Sequence, residues 1–163
     1  MQRTLFLVRH AKSDWDDPAL PDQARPLAAR GKRDAPLMGK RLAKRQVKPD
    51  LILSSPARRA LATAEIFADA LDYKAGDIVV DERLYATEPE TLLAVIGELG
   101  DELTCVMLFG HNPELTELAQ RLSDEISRMP TCAVAQFTFA ATSWSRIAAA
   151  RPAKVVFDYP KQT

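Results

Sequence analysis

Short apolar runs alternate with longer amphipathic stretches along this chain. Each run stops abruptly at polar residues, a pattern typical of buried strands. The runs lie at residues 5–8, 51–53, 78–80, 104–109, 133–139 and 155–157. Between them, apolar residues at helical spacing predict helices over residues 27–45, 57–71, 92–99 and 114–122. The alternation predicts an α/β three-layer sandwich with a mostly parallel central sheet.

Two proline-containing segments modify this pattern. Residues 16–26 are rich in Asp and Pro and lack periodicity, so we expect a surface loop there. Pro36 falls within the first predicted helix, whose apolar face we assign to Leu37, Met38, Leu42 and Ala43. Because proline has no N–H donor and clashes with the preceding turn, we expect Pro36 near the first turns of the helix or at a kink.

Composition narrows the classes of protein. The chain has 163 residues, of which 47% are hydrophobic, and this predicts a single domain over residues 1–163. Lys and Arg number 22 and so do Asp and Glu, so no global charge favours nucleic acid or a membrane surface. No apolar stretch approaches the roughly 20 residues of a membrane span. We therefore expect neither nucleic-acid nor membrane partners.

The two cysteines and the N-terminus bear on location. Cys105 and Cys132 lie far apart without metal-binding spacing, which predicts buried free thiols. The N-terminal apolar run is too short for the core of a signal peptide. We therefore expect a cytoplasmic protein.

Polar clusters follow three of the predicted strands. Arg9 and His10 follow the first, Arg58 and Arg59 the second, and His111 the fourth. The carboxyl ends of parallel strands meet at one edge of a sheet, so these side chains can converge. Guanidinium groups match phosphate oxygens, and imidazole can act as a nucleophile. Each cluster alone also fits a purely structural role, but the chain has only two histidines and both lie at such strand ends.

These residues carry a family resemblance. The sequence LVRHA at residues 7–11 resembles the RHG signature of the histidine phosphatase superfamily. SPARRALAT at residues 55–63 resembles its SPxxRAxxT motif, and GHNP at residues 110–113 resembles the second-histidine motif of the small phosphohistidine phosphatase branch. The resemblance implies a phosphoglycerate mutase-like fold.

The resemblance also implies roles for individual residues. His10 is the implied nucleophile, and Arg9, Arg59 and His111 would bind the transferred phosphoryl group. Lys12, Ser13 and Asn112 are candidate substrate-binding residues beside them. Arginines supply the positive charge that Mg²⁺ supplies elsewhere, so we expect no metal and no cofactor.

The match departs from the family pattern at three places. Ala11 replaces the glycine of the signature, which fits if its φ is negative. Asp16 stands where many relatives have asparagine, and a carboxylate there would repel phosphate. Ala86 occupies the position at which relatives that cleave monoesters carry a glutamate, flanked by Glu82 and Glu88 as possible proton donors.

The missing acid separates the candidate functions. An imidazole leaving group needs less protonation than an alkoxide, so the sequence favours a phosphohistidine phosphatase acting on a phosphorylated protein. The alternative is a phosphomonoesterase for small phosphorylated metabolites that uses Glu82 or Glu88. A non-catalytic phosphate-binding module is a further alternative, less favoured because His10 and Arg59 are present.

Overall fold

The computed structural model describes residues 2–162. It contains a six-stranded sheet with helices on both faces. The strands are β1 (Arg3–Arg9), β2 (Leu51–Ser54), β3 (Val79–Val80), β4 (Cys105–Gly110), β5 (Val134–Phe139) and β6 (Lys154–Asp158). The helices are α1 (Ala29–Lys44), α2 (Arg58–Ala70), α3 (Pro89–Gly97) and α4 (Glu114–Leu122). The predicted α/β sandwich is confirmed.

The sheet is parallel on one side and antiparallel on the other. Its strand order is β3-β2-β4-β1-β5-β6. The first four strands in this order are mutually parallel, whereas β5 runs antiparallel to β1 and β6 antiparallel to β5. β1 therefore lies inside the sheet, with its carboxyl end beside that of β4.

Both faces of β1 are buried, which explains why its sequence is apolar without alternation. Leu5 and Leu7 pack into the core beneath α3 and α4. Phe6 and Val8 point to the opposite face and pack with residues of α1 and α2. A strand enclosed in this way places the polar residues at its end at the edge of a fixed sheet.

Pro36 lies in the middle of α1, so the first of its two expected positions, near the start of the helix, is wrong. The proline has no N–H to donate to the Lys32 carbonyl, yet the helix continues because Ala35, Met38 and Leu42 are fully buried against the sheet. Leu37, assigned from the sequence to the apolar face, is 41% exposed. Tertiary packing outweighs the local cost of the proline.

Strand β3 and Cys105 are more exposed than the sequence pattern predicts. The third strand has only two residues, Val79 and Val80, both exposed at the edge of the sheet. Both cysteines are free, but Cys105 is half-buried, whereas Cys132 is buried as expected. None of the helices in the described residues has the length and apolarity needed to cross a bilayer.

The loop at residues 16–26 is mostly exposed, as predicted, but is fixed at its base. Asp14 N donates to Pro26 O over 2.8 Å, and Ser13 pairs with Leu27 in an antiparallel bridge. Near the end of the loop, the guanidinium of the buried Arg25 lies over the ring of the exposed Trp15.

Candidate active site

The predicted convergence of strand ends occurs at the carboxyl edge of β1, β2 and β4. His10 N donates to Gly110 O over 3.1 Å, and Ser55 N donates to Phe109 O over 3.0 Å, so the hydrogen bonds of the sheet extend into the site. The ring centroids of His10 and His111 are 5.1 Å apart. Strand pairing therefore sets the separation of the two imidazoles.

His10 is held as a neutral imidazole with a defined tautomer. Its Nδ1–H donates to Ala11 O over 2.7 Å, which leaves Nε2 unprotonated. Burial, and after it the charges of His111, Arg59 and Arg9, lower the pKa of His10 to about 3, against the opposing effect of the Ala11 bond. A neutral Nε2 is a competent nucleophile.

The backbone next to His10 is tied to α2. Ala11 N donates to Thr63 Oγ1 over 3.0 Å, and Thr63 Oγ1 donates to Arg59 O over 2.7 Å. Ala11 is not among the residues with positive φ, so alanine fits where the family signature has glycine. Thr63, the last residue of the SPxxRAxxT motif, thus fixes the backbone next to His10.

His111 is oriented by Ser55, a role that the sequence analysis did not identify. Ser55 Oγ accepts from Ala57 N over 3.1 Å and lies within hydrogen-bond distance, 2.8 Å, of His111 Nε2. Nδ1 of His111 is buried and has no partner among the described residues. Burial, and then the charge of Arg59, lower the pKa of His111 to about 4.

Arg59 is buried and engaged by the loop. Its two terminal nitrogens donate to the backbone and carboxylate oxygens of Asp22 over 2.8 and 2.9 Å. Tyr85 Oη donates to the same carboxylate over 2.5 Å, and the Tyr85 ring lies edge-on to His111. The Tyr85 hydrogen bond, together with Arg59, holds the pKa of Asp22 below its usual value. An ionised carboxylate therefore occupies the arginine expected to bind phosphate.

Arg9 and Arg58 differ in burial. Arg9 is half-buried and donates from a terminal nitrogen to Met129 O over 3.1 Å. Burial, and then the charge of Arg128, lower the pKa of Arg9. Arg58 is exposed, whereas Arg59 beside it is 8% exposed. Arg9 and Arg59 thus lie close enough to His10 and His111 for their charges to lower the pKa of both imidazoles.

The three candidate substrate-binding residues lie in different settings. Ser13 is buried and accepts a long 3.5 Å bond from Arg25. Lys12 is half-buried, and its carbonyl oxygen accepts from Ala28 N. The Asn112 amide donates to Met129 O over 2.9 Å, and its oxygen accepts from Thr116 N and Oγ1. The side chain of Asn112 is thus engaged in holding the start of α4.

Carboxyl groups around Ala86 differ sharply in burial. Glu82 and Glu88 are exposed, and the hydrogen bonds of the two imidazoles go instead to Ala11 and Ser55. Glu114, which the sequence analysis did not consider, is 4% exposed and accepts from Thr87 N at 3.5 Å. Burial raises the pKa of its carboxyl.

The chemistry of the site is that of an anion pocket with a nucleophile. Two guanidinium groups and a second imidazole lie around a neutral imidazole, an arrangement suited to a phosphoryl group. Within residues 2–162, no three His, Cys, Asp or Glu side chains are grouped to hold a metal ion.

Comparison with known proteins identifies the family. Residues 5–87 match the model of the histidine phosphatase superfamily, branch 1. An uncharacterized chloroplastic protein of Arabidopsis thaliana is 30% identical over 152 residues, covering 88% of this chain and 70% of the relative.

Solved structures share the fold over nearly the whole chain. SixA of Agrobacterium tumefaciens is 29% identical, covers 94% of this chain and 97% of its own, and has a TM-score of 0.80. A protein histidine phosphatase SixA complexed with tungstate is 24% identical, with coverages of 98% and 95% and a TM-score of 0.77.

A third structure widens the range of activities found on this fold. A mycobacterial glucosyl-3-phosphoglycerate phosphatase is 18% identical, with coverages of 96% and 97% and a TM-score of 0.70. The matched family model, the Arabidopsis relative and the pair of histidines at adjacent strand ends agree, and the chain belongs to the histidine phosphatase superfamily as one of its phosphatases.

Proposed function

We propose that this phosphatase hydrolyses phosphohistidine on a protein, through a phosphoryl intermediate on His10. The observation that carries the proposal is the contact of the Asp22 carboxylate with Arg59 and Tyr85, which lowers the pKa of Asp22 and so favours its ionised form. An ionised carboxylate is a poor proton donor, and the imidazole that leaves phosphohistidine needs less protonation than an alkoxide. The resemblance in fold to a protein histidine phosphatase supports the same substrate class.

In the first step, Nε2 of His10 attacks phosphorus in line with the leaving imidazole. A P–N bond forms to His10 while the P–N bond to the substrate breaks, and the leaving imidazole takes its proton from solvent. Charge on the phosphoryl oxygens is met by Arg59, Arg9 and the imidazole of His111. The Ala11 carbonyl stabilises the positive charge that develops on the His10 ring.

In the second step, water attacks phosphorus and the bond to His10 breaks. Both protons of the water leave with the phosphate as dihydrogen phosphate, and His10 returns to its neutral form. The low pKa of His10 favours this return, because its surroundings disfavour an imidazolium.

A substrate panel tests the proposal. We expect kcat/KM for a phosphohistidine peptide to exceed that for p-nitrophenyl phosphate or a sugar phosphate by about a hundredfold or more. Rapid quenching should trap a phosphoryl group on His10, and His10→Ala should trap none. A protein that only bound phosphate would give neither result. Equal turnover of peptide and monoesters would reject the phosphohistidine assignment.

One observation favours the second candidate, a phosphomonoesterase for small metabolites. The buried Glu114 carboxyl next to Thr87 has a raised pKa and is thereby suited to hold a proton. In that case the acid of the sequence-based alternative would be Glu114, rather than the exposed Glu82 or Glu88. Faster turnover of monoesters than of phosphohistidine in the same panel would select this candidate.

A further inference from the structure

A groove of about 540 Å³ lies between α1 and the C-terminal segment of the chain. One wall is a single face of α1, formed by Arg30, Arg33, Asp34 and Leu37 at helical spacing. The opposite wall includes Arg128, Pro130, Thr131, Tyr159, Pro160 and Lys161. The groove is distinct from the anion pocket, since it includes neither histidine.

The groove is basic although the whole chain has no net charge. Arg30, Arg33, Arg128 and Lys161 all line it and are exposed. Its one carboxylate, Asp34, is buried and lies 3.6 Å from Arg33 and 4.0 Å from Arg30. The cations therefore exceed the local negative charge. Leu37 adds an apolar surface that is 41% exposed.

The segment that lines the groove also contacts the nucleophile. Cys132 N donates to His10 O over 3.0 Å, and Arg9 donates to Met129 O over 3.1 Å. Thr131, between these two residues, lines the groove and accepts from Arg30 over 3.4 Å. A peptide bound in the groove would thus lie close to the anion pocket, because Thr131 is adjacent to Cys132, which contacts His10.

Hydrogen bonds within the protein hold the opposite wall of the groove in place. Arg41 of α1 donates to Asp158 and to the carbonyl oxygens of Tyr159 and Pro160, each over 3.0 Å. These bonds hold the C-terminal segment against α1. A preformed site loses less conformational entropy on binding.

We propose that this groove docks an acidic segment of the phosphorylated protein, with an apolar side chain of that segment on Leu37. The proposal rests on the proposed function, because it names how the protein substrate is recognised. A protein segment fits better than single-stranded nucleic acid, which uses exposed aromatic rings for stacking. The aromatic ring of this groove, Tyr159, is half-buried and packs against Phe157.

The first test is direct binding. Calorimetry would use an unphosphorylated glutamate-rich peptide containing one leucine and compare the wild type with an Arg33→Glu, Lys161→Glu variant. The matched control is Lys74→Glu, Arg146→Glu, which makes the same charge change at exposed positions outside the groove. We expect Kd to rise by about tenfold or more in the groove variant and to stay unchanged in the control.

Two outcomes of the binding test would overturn the proposed docking role of the groove. One is equal binding by the groove and control variants. The other is tighter, groove-dependent binding of a single-stranded oligonucleotide of the same charge, which would assign the groove to nucleic acid instead. Weakening of peptide binding by salt is expected in the wild type, because the contacts are between exposed charges.

The second test separates the groove from the reaction. Two phosphohistidine peptides, with and without an acidic segment, are compared with a small phosphoramidate. The groove variant should raise KM about tenfold for the acidic peptide alone and leave the phosphoramidate unchanged. If the wild type and the groove variant turned over both peptides with equal KM, the docking role of the groove would be rejected and the proposed function would stand. Groove-dependent binding without turnover of any phosphohistidine would reject the proposed function and keep the groove.

Discussion

At the scale of single residues, three neighbours and burial set the tautomer, position and charge state of His10. The Ala11 carbonyl fixes the tautomer, Thr63 fixes the backbone, and His111 is close enough to disfavour a positive charge. The identity of the two histidines could be predicted because each follows an apolar run. The role of Ser55 could not, because a serine before a helix is equally typical of a cap.

Asp22 shows why some residues of the site escape sequence analysis. It lies in an exposed loop with no periodicity, and its bond to Arg59 joins residues 37 positions apart. The same limit applies to Glu114, whose position at the start of α4 suits a carboxylate interacting with the helix dipole. Only the structure reveals that Glu114 is buried, and burial makes its carboxyl a candidate proton donor.

Replacing Glu114 tests whether it supplies a proton. If the phosphohistidine assignment holds, Glu114→Gln should change kcat for a phosphohistidine peptide by less than about threefold, since the leaving imidazole needs little protonation. The kcat for a monoester should fall by about a hundredfold if Glu114 is its acid. The control is Glu117→Gln, an exposed position on the same helix. Loss of the phosphohistidine activity alone would contradict both assignments.

At the scale of elements, adjacent residues on a helix cannot share a face. Arg58 and Arg59 open α2, where cations oppose the helix dipole, and about 100° separates their directions. The sequence motif alone indicated which of the two faces the site, and the structure agrees in burying Arg59 and exposing Arg58.

The two arginines should therefore differ in kinetics. Arg59→Ala removes a charge-assisted contact to the phosphoryl group, at a cost on the order of 2 to 4 kcal/mol. We expect kcat/KM to fall by roughly a hundredfold or more. Arg58→Ala should lower it by less than about tenfold. A larger loss in the Arg58 variant would mean that the second motif is wrongly aligned.

Gly31 shows how closely α1 approaches the nucleophile. A Cβ at residue 31 would lie 2.3 Å from the Lys12 carbonyl oxygen, two residues beyond His10. Gly31→Ala should therefore shift the helix or the strand end and lower the free energy of unfolding by about 1 to 3 kcal/mol. We also expect kcat to fall, because His10 would move with Lys12.

Gly76→Ala is the matched control for this substitution, since a Cβ there meets nothing within 4 Å. Denaturant unfolding measures stability, and the substrate panel measures kcat. A Gly31→Ala enzyme with wild-type stability and kcat would show that α1 does not need this close approach.

The fold itself was largely accessible from the pattern, with errors at particular places. The buried strand β1 and the helix α4 are where the apolar spacing put them. Pro36 does not lie near the helix start that local propensity favours, because burial of its neighbours keeps it in the interior of the helix. The exposed edge strand β3 has two residues, too few for any pattern to define its burial.

At the scale of the whole molecule, burial of both histidines links stability to pH. Their pKa values in the folded protein, about 3 for His10 and about 4 for His111, lie below the ordinary value of 6.5. The unfolded chain therefore binds more protons than the folded protein between these limits. Stability is fully present above about pH 6.5 and decreases as the pH falls through the window.

We expect the free energy of unfolding to drop on the order of a few kcal/mol from pH 7 toward pH 4. In the upper part of this window, about pH 6.5 to 5, the histidines dominate because carboxyl groups of ordinary pKa are still ionised there, and Glu114, whose pKa is raised, is the exception. Urea titrations at several pH values measure the change. His10→Asn and His111→Asn should each flatten the slope, and an unchanged slope in both would contradict the histidine origin.

The two tryptophans give the site an optical signal of its own. Trp15 is 66% exposed and stacked under Arg25, whose guanidinium lies 3.8 Å from the Asp22 carboxylate on Arg59. Trp144 is fully buried and donates to Leu103 O over 2.8 Å, on the face of the sheet covered by α3 and α4. An oxyanion that displaces Asp22 from Arg59 would disturb the emission of Trp15 and leave that of Trp144 constant. Intrinsic fluorescence would then report occupation of the anion pocket in the unlabelled protein, with Trp144 as an internal standard.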